Sequence, residues 1–161
     1  MSDVGIRPAA LSEGDAIGVL TERVYREDGF VDDDYTAELL GGARRIREAN
    51  VLVALLRDIL VGSVTVAAPG TPFAEISRPD ELEVRMLAVV EHARGQGVAD
   101  LLMDEVETMA RTQGRGGVVL STAHSMTKAH RLYERRGYVR RPDRDWFVDD
   151  LALIVYRLDL A

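Results

Sequence analysis

At 161 residues the chain has the length of one domain, 1–161, large enough to bury a core. It has no cysteine, which excludes disulfides, thiolate metal sites and a thiol nucleophile, and its three histidines argue against any other metal centre. A net charge of −7 argues against general affinity for nucleic acid or an anionic membrane, and no apolar run nears the ~18 residues of a membrane span, so a soluble cytoplasmic protein is expected.

Charge is uneven: residues 1–40 hold ten acidic and three basic side chains, and residues 111–144 hold nine basic and two acidic. Such a division suits an anionic cofactor on one side and a cationic acceptor on the other, although each half also reads as a solvated face. Val4 to Arg7 is a short strand that ends at Pro8. Ser12 can cap a helix whose apolar stripe (Leu11, Ala16, Ile17, Leu20, Val24) runs to about Tyr25. After Asp32-Asp33-Asp34 a second helix spans about Tyr35 to Leu40, with Gly41-Gly42 interrupting or ending it. The three aspartates either favour the positive end of that helix or form an acidic rim for a substrate amine.

Val51 to Leu56 and Ile59 to Val66 form a hairpin about Arg57-Asp58, and Ala67 to Asp80, with three prolines, is a loop. Glu81 to Val90 is β-rich, and Val98, Leu101, Leu102, Val106 and Met109 have helical spacing. A strand therefore feeds a helix through a turn containing Gly95 and Gly97. A further strand is expected over Val118 to Ser121, then a helix over about Met126 to Arg136 ended by Gly137. Strands at Tyr138 to Arg140 and Leu151 to Leu158 follow, with a charged turn holding Trp146 between them.

The strand–turn–helix junction binds anions in many folds, because first-turn N–H groups are unpaired and glycines allow close backbone approach. Neither a Gly-x-x-x-x-Gly-Lys-Ser/Thr loop nor a Gly-x-Gly-x-x-Gly turn is present. Arg94-x-x-Gly97-x-Ala99, preceded by Leu87-Ala88-Val89, resembles motif A of the GNAT superfamily of acyl-CoA-dependent N-acetyltransferases. Leu132-Tyr133 followed by Gly137-Tyr138 is similar to the same superfamily's second landmark, and the resemblance extends from about Val4 to Leu160. It implies an α/β (α+β) fold with a mixed, mostly antiparallel sheet of six to seven strands flanked by about four helices. The implied order is β-α-α-β-β-β-α-β-α-β-β.

The resemblance implies acetyl-CoA as cofactor. N–H groups over Arg94, Gly95, Gln96, Gly97, Val98 and Ala99 would hold its pyrophosphate. A bulge in the preceding strand would free the backbone of Leu87, Ala88 and Val89 to pair with pantetheine and to bind the thioester oxygen. Tyr133 is the implied general acid: a phenol of pKa near ~10 stays protonated at neutral pH and can donate to a departing thiolate. Without the resemblance, a tyrosine there is more often half-buried core. Glu83 is the candidate base for the amine, with an ion pair to a neighbouring arginine as the rival reading. Glu81, His124 and the aspartate run are lesser candidates.

Two departures stand out. His92 occupies a position near which many members have proline, and Met126 stands where many have an asparagine that bonds the pantetheine arm, leaving Ser125 or Thr127 to replace it.

The leading expectation is direct transfer of acetyl to a primary amine on a small molecule or peptide. A cation such as a polyamine, an aminoglycoside or an N-terminal amine fits Asp32 to Asp34, with Phe30, Tyr35, Phe73 and Trp146 as pocket or core residues. The alternatives are a longer acyl donor and a non-catalytic acyl-CoA-binding module. An edge-strand homodimer would suit the family.

Overall fold

The computed structural model describes residues 3–30 and 33–160. Eight strands form one sheet: β1 (Val4–Pro8), β2 (Asn50–Leu56), β3 (Ile59–Ala67), β4 (Glu81–Val89), β5 (Gly117–Ala123), β6 (Val139–Arg140), β7 (Trp146–Val148) and β8 (Leu151–Asp159). Their order is β1-β2-β3-β4-β5-β8-β6, with β7 also paired to β8. All pairs are antiparallel except β4–β5. Five helices flank it: α1 (Gly14–Glu27), α2 (Asp33–Leu40), α3 (Gly42–Glu48), α4 (Val98–Thr112) and α5 (Thr127–Arg135). The expected mixed α/β architecture is present, enlarged by α3 and β7. None of the helices among the described residues is long and apolar enough to cross a membrane.

Alternation along β2 sorts the layers. Val51 and Val53 pack with Ile17 of α1 and Ile46 of α3 on one face. On the other face a Cβ added to Gly62 of β3, paired with Ala54, would meet Val98 and Leu102 of α4. Arg136, just beyond α5, joins that helix to α4 through Asp100, Asp104 and Glu107, so α4 and α5 share this second face. Arg57 and Asp58 take φ of 51° and 67°, the conformation that a two-residue hairpin turn needs between β2 and β3.

Local expectations are corrected or narrowed in three places. Ser12 does not cap α1. A 3₁₀ turn over Leu11–Glu13 precedes the helix, and the Glu13 carboxylate accepts the Ala10 N–H at 2.7 Å and pairs with Arg7. Of the two readings of Gly41-Gly42, interruption holds: α3 starts at Gly42, where a Cβ would lie 2.1 Å from the Gly14 carbonyl oxygen, so glycine is what allows α3 to pack against α1. The segment holding Trp146 is not only a turn, because β7 pairs with β8 through Trp146–Leu153 and Val148–Leu151.

One irregularity positions everything that follows. Between Ser63–Ala88 and Thr65–Arg85, β4 carries one more residue than β3, with Met86 at φ 55°. This is a β-bulge, and it bends β4. Pairing of β4 to β5 ends at Val84–Leu120, so beyond that point the two parallel strands separate and the β5-facing edge of Arg85 to Val89 is left without a strand partner.

Candidate active site

Two cavities open where β4 and β5 part. The first, about 470 Å³, is lined by the β4 edge Leu87 to Val89, by Arg94, Gly95, Gly97, Val98 and Ala99, and by Lys128, Leu132, Tyr133 and Arg135 of α5. The second, about 430 Å³, lies toward α1 and α2 and is lined by Tyr25, Phe30, Tyr35, Glu83, Arg85 and the β7–β8 hairpin. Tyr25, Val84, Met86, Ser121, Thr122 and Met126 line both, so the bulge and the splayed end of β5 form a common wall.

In the first cavity Gly95 and Gly97 have φ of 79° and 78°, and no atom lies within 4 Å of where a Cβ would sit on either. The open space there belongs to the cavity, and glycine keeps it clear while adopting the left-handed turn at no steric cost. α4 starts at Val98, so its first-turn N–H groups face this turn without intrahelical partners. Arg94, Lys128 and Arg135 add positive charge. Arg94 donates to the Val89 carbonyl at 3.3 Å and reaches Asp28 at 3.6 Å. Gln96 is exposed and is not among the lining residues. The cradle suits a phosphate-bearing ligand with an extended arm, for which the free edge of β4 offers backbone partners.

Tyr133 is buried against Tyr138 and Tyr156, and its hydroxyl has no hydrogen-bond partner among the described residues. Burial alone pushes the phenol up, which keeps it protonated across the physiological range. His130, one turn earlier, bonds the Ala123 carbonyl through Nε2 at 2.9 Å and packs on Tyr156, a structural role. His124, Ser125 and Thr127 are exposed and line neither cavity.

The second cavity is acidic. Among the described residues Asp34, Glu38, Glu75, Glu83 and Asp149 line it, and Arg85 is its one basic lining residue. Asp33 and Asp34 sit in the first turn of α2 and Asp34 also lines the cavity, while Asp32 lies outside the described residues. Phe30 and Tyr35 stack beside Tyr25 at 5.5 to 6.2 Å between ring centres. Trp146 lines the cavity and donates its indole N–H to the Ser121 hydroxyl at 2.9 Å. Phe73 does not line it: the ring is core, with the Arg44 guanidinium over it at 5.0 Å.

Glu83 is 1% exposed and makes no ion pair within 4 Å among the described residues. Its Oε1 accepts three backbone N–H groups, from Glu75, Ile76 and Ser77, at 2.9 to 3.0 Å. Its Oε2 takes no hydrogen bond from the described residues. Burial pushes the carboxyl up, and the three N–H bonds and nearby Arg85 offset that only in part. Glu81, a lesser candidate for the base, is a structural anchor: Arg144 and Arg157 both reach it at 2.7 Å.

Sequence reasoning missed Met86, Thr122, Arg85, Lys128 and Arg135. Only the last two carried a signal, since Lys128 and Arg135 fall on one helical face with Leu132, the residue before Tyr133 in the second landmark.

The chain is similar to known proteins in sequence and in fold. The family model for the acetyltransferase (GNAT) family matches residues 11–138. N-acetylaspartate synthetase of Danio rerio is 36% identical over 90 residues, which are 55% of this chain and 29% of that protein, so the chain spans under a third of that curated relative. An acetyltransferase of the GNAT family from Staphylococcus aureus Mu50 superposes with a TM-score of 0.77 at 15% identity, covering 98% of this chain and 99% of that one. PaiA N-acetyltransferase of Thermoplasma acidophilum, solved with coenzyme A, gives 0.75 at 12% identity over 98% and 100%. YncA of Salmonella typhimurium, solved with its cofactor acetyl-CoA, gives 0.69 at 19% over 99% and 95%. At these identities the structures speak for the fold, and the family model for kinship: the chain belongs to the acetyltransferase (GNAT) family.

Proposed function

We propose that the chain transfers an acetyl group from acetyl-CoA directly to a primary amine, with Glu83 as the base and Tyr133 as the acid. The observation that carries this is the common wall. A cavity with a phosphate-binding turn and a protonated phenol meets a cavity with a buried carboxylate where β4 and β5 part. The residues present fit the donor: open space beside Gly95 and Gly97, the first turn of α4, and Arg94, Lys128 and Arg135 all suit a pyrophosphate. Acetyl-CoA, when bound, supplies an activated thioester.

The chain's own residues do the rest. An alkylammonium has a pKa near ~10 and must lose a proton to become a nucleophile. The free Oε2 of Glu83 takes that proton, directly or through one water, and the raised carboxyl pKa makes it a better base than an exposed glutamate. Backbone N–H groups on the free edge over Leu87 to Val89 stabilise negative charge at the carbonyl oxygen. Tyr133 donates its proton to the leaving sulfur. With no cysteine in the chain, a thioester on the protein is not available, which supports direct transfer.

Five carboxylates against one guanidinium favour a cationic amine, and Tyr25, Phe30, Tyr35 and Trp146 suit its alkyl or aryl body. A second reading rests on Arg85. Lining the cavity, it would suit an acceptor that also carries a carboxylate, as the name of the Danio rerio relative indicates for that protein. A thiol-release screen of polyamines, peptide N-termini and aspartate with acetyl-CoA tests both. Cationic amines are expected to react fastest, fastest turnover of aspartate would select the second reading, and no amine-dependent release from a protein that binds acetyl-CoA would overturn the proposal.

A further inference from the structure

Among the described residues three polar side-chain atoms are themselves closed off from solvent and lack any hydrogen-bond partner: Arg45 Nε, Ser77 Oγ and Thr122 Oγ1. Of these residues only Thr122 lines either of the two cavities described above, and it lines both. A buried hydroxyl without a partner is costly, and a fold keeps one where something else completes it. Thr122 is 5% exposed and stands on β5 two residues past Leu120, the last residue paired with β4. By strand alternation its side chain shares a face with Leu120, the face that carries α4 and α5. Ser121 projects the other way, where its hydroxyl already accepts from Trp146.

On the same side, Met126 brings no polar atom able to bond an amide strongly, and the neighbouring hydroxyls of Ser125 and Thr127 are exposed and absent from the cavity wall. Resting on the acetyltransferase reading above, we infer that Thr122 is a positioning residue. Its hydroxyl accepts a hydrogen bond from the pantetheine amide nearest the thioester and thereby sets how deeply the arm enters between β4 and β5. No bond to the acyl group is involved.

Calorimetric titration with acetyl-CoA and with adenosine 3′,5′-bisphosphate, which lacks the pantetheine arm, separates this role from plain packing. Thr122→Val keeps the shape and removes the hydroxyl. It should bind acetyl-CoA roughly tenfold more weakly, bind the bisphosphate as the wild type does, and melt about 2–4 °C higher without ligand because the orphan is gone. Thr122→Ser, which keeps the hydroxyl, should restore most of the affinity. Unchanged acetyl-CoA binding by Thr122→Val, or equal weakening for both ligands, would overturn the inference and leave the transferase reading standing. A wild type that binds neither ligand would remove that reading and the inference with it.

Discussion

Glu81 and Glu83 lie two residues apart on β4, each is 1% exposed, and their environments differ in the kind of partner. Glu81 is held by cations. Burial works against its charge, but Arg144, the Arg78 N–H and Arg157 outweigh it and keep the carboxyl below the usual range. Glu83 is held by three amides on one oxygen, and for it burial wins, so the carboxyl lies above the usual range. Full cationic partners turn a buried carboxylate into a clamp, here joining β4 to β8 and to the segment before β7. Dipolar partners on one side only leave the other oxygen able to accept a proton.

Glu81→Ala leaves Arg144, 6% exposed, and Arg157 without their main anion, and should cost about 3–5 kcal/mol in urea denaturation. Glu83→Gln keeps an acceptor oxygen for the three N–H groups. It should lower kcat/KM by at least about 100-fold while changing stability by less than about 1 kcal/mol.

The pH dependence should then have opposite signs at the two sites. The depressed carboxyl of Glu81 contributes stability that is present above its unfolded pKa and lost as pH falls through the folded one. The gap between wild type and Glu81→Gln should therefore shrink from pH 7 to pH 4. The raised carboxyl of Glu83 contributes most below its unfolded pKa and loses that contribution as pH rises through the folded one. The gap between wild type and Glu83→Gln should grow over the same range. The smallest effect belongs to the exposed rim of the second, acidic cavity: Asp149→Asn should raise KM for a cationic amine about twofold, and less at high salt.

The contrast between the two glutamates was not legible in the sequence, where they are alike. Their partners come from residues 63 and 76 positions further on in one case and from a proline-rich loop in the other. What was legible is local: the Arg57-Asp58 hairpin, the turn at Gly95 and Gly97, and the helix carrying Tyr133. α3 escaped because seven residues that begin with glycine and hold three arginines have no helical stripe of their own, and it exists through packing on Gly14. β7 escaped because three residues in a charged segment become a strand only by pairing with β8. Thr122 looks like any strand threonine until its unpartnered hydroxyl is seen in the wall shared by two cavities.

The most direct test of the division of labour is the pH–rate profile of CoA release with the best amine for wild type, Glu83→Gln and Tyr133→Phe, each first shown by calorimetry to bind acetyl-CoA. The wild-type rate should rise with pH through a pKa above that of an ordinary carboxylate. Glu83→Gln should lose that limb with most of the rate, and Tyr133→Phe should keep the limb at a rate lower by about 10²-fold or more. Variants that bind acetyl-CoA and turn over as fast as the wild type, with the same profile, would contradict that division of labour.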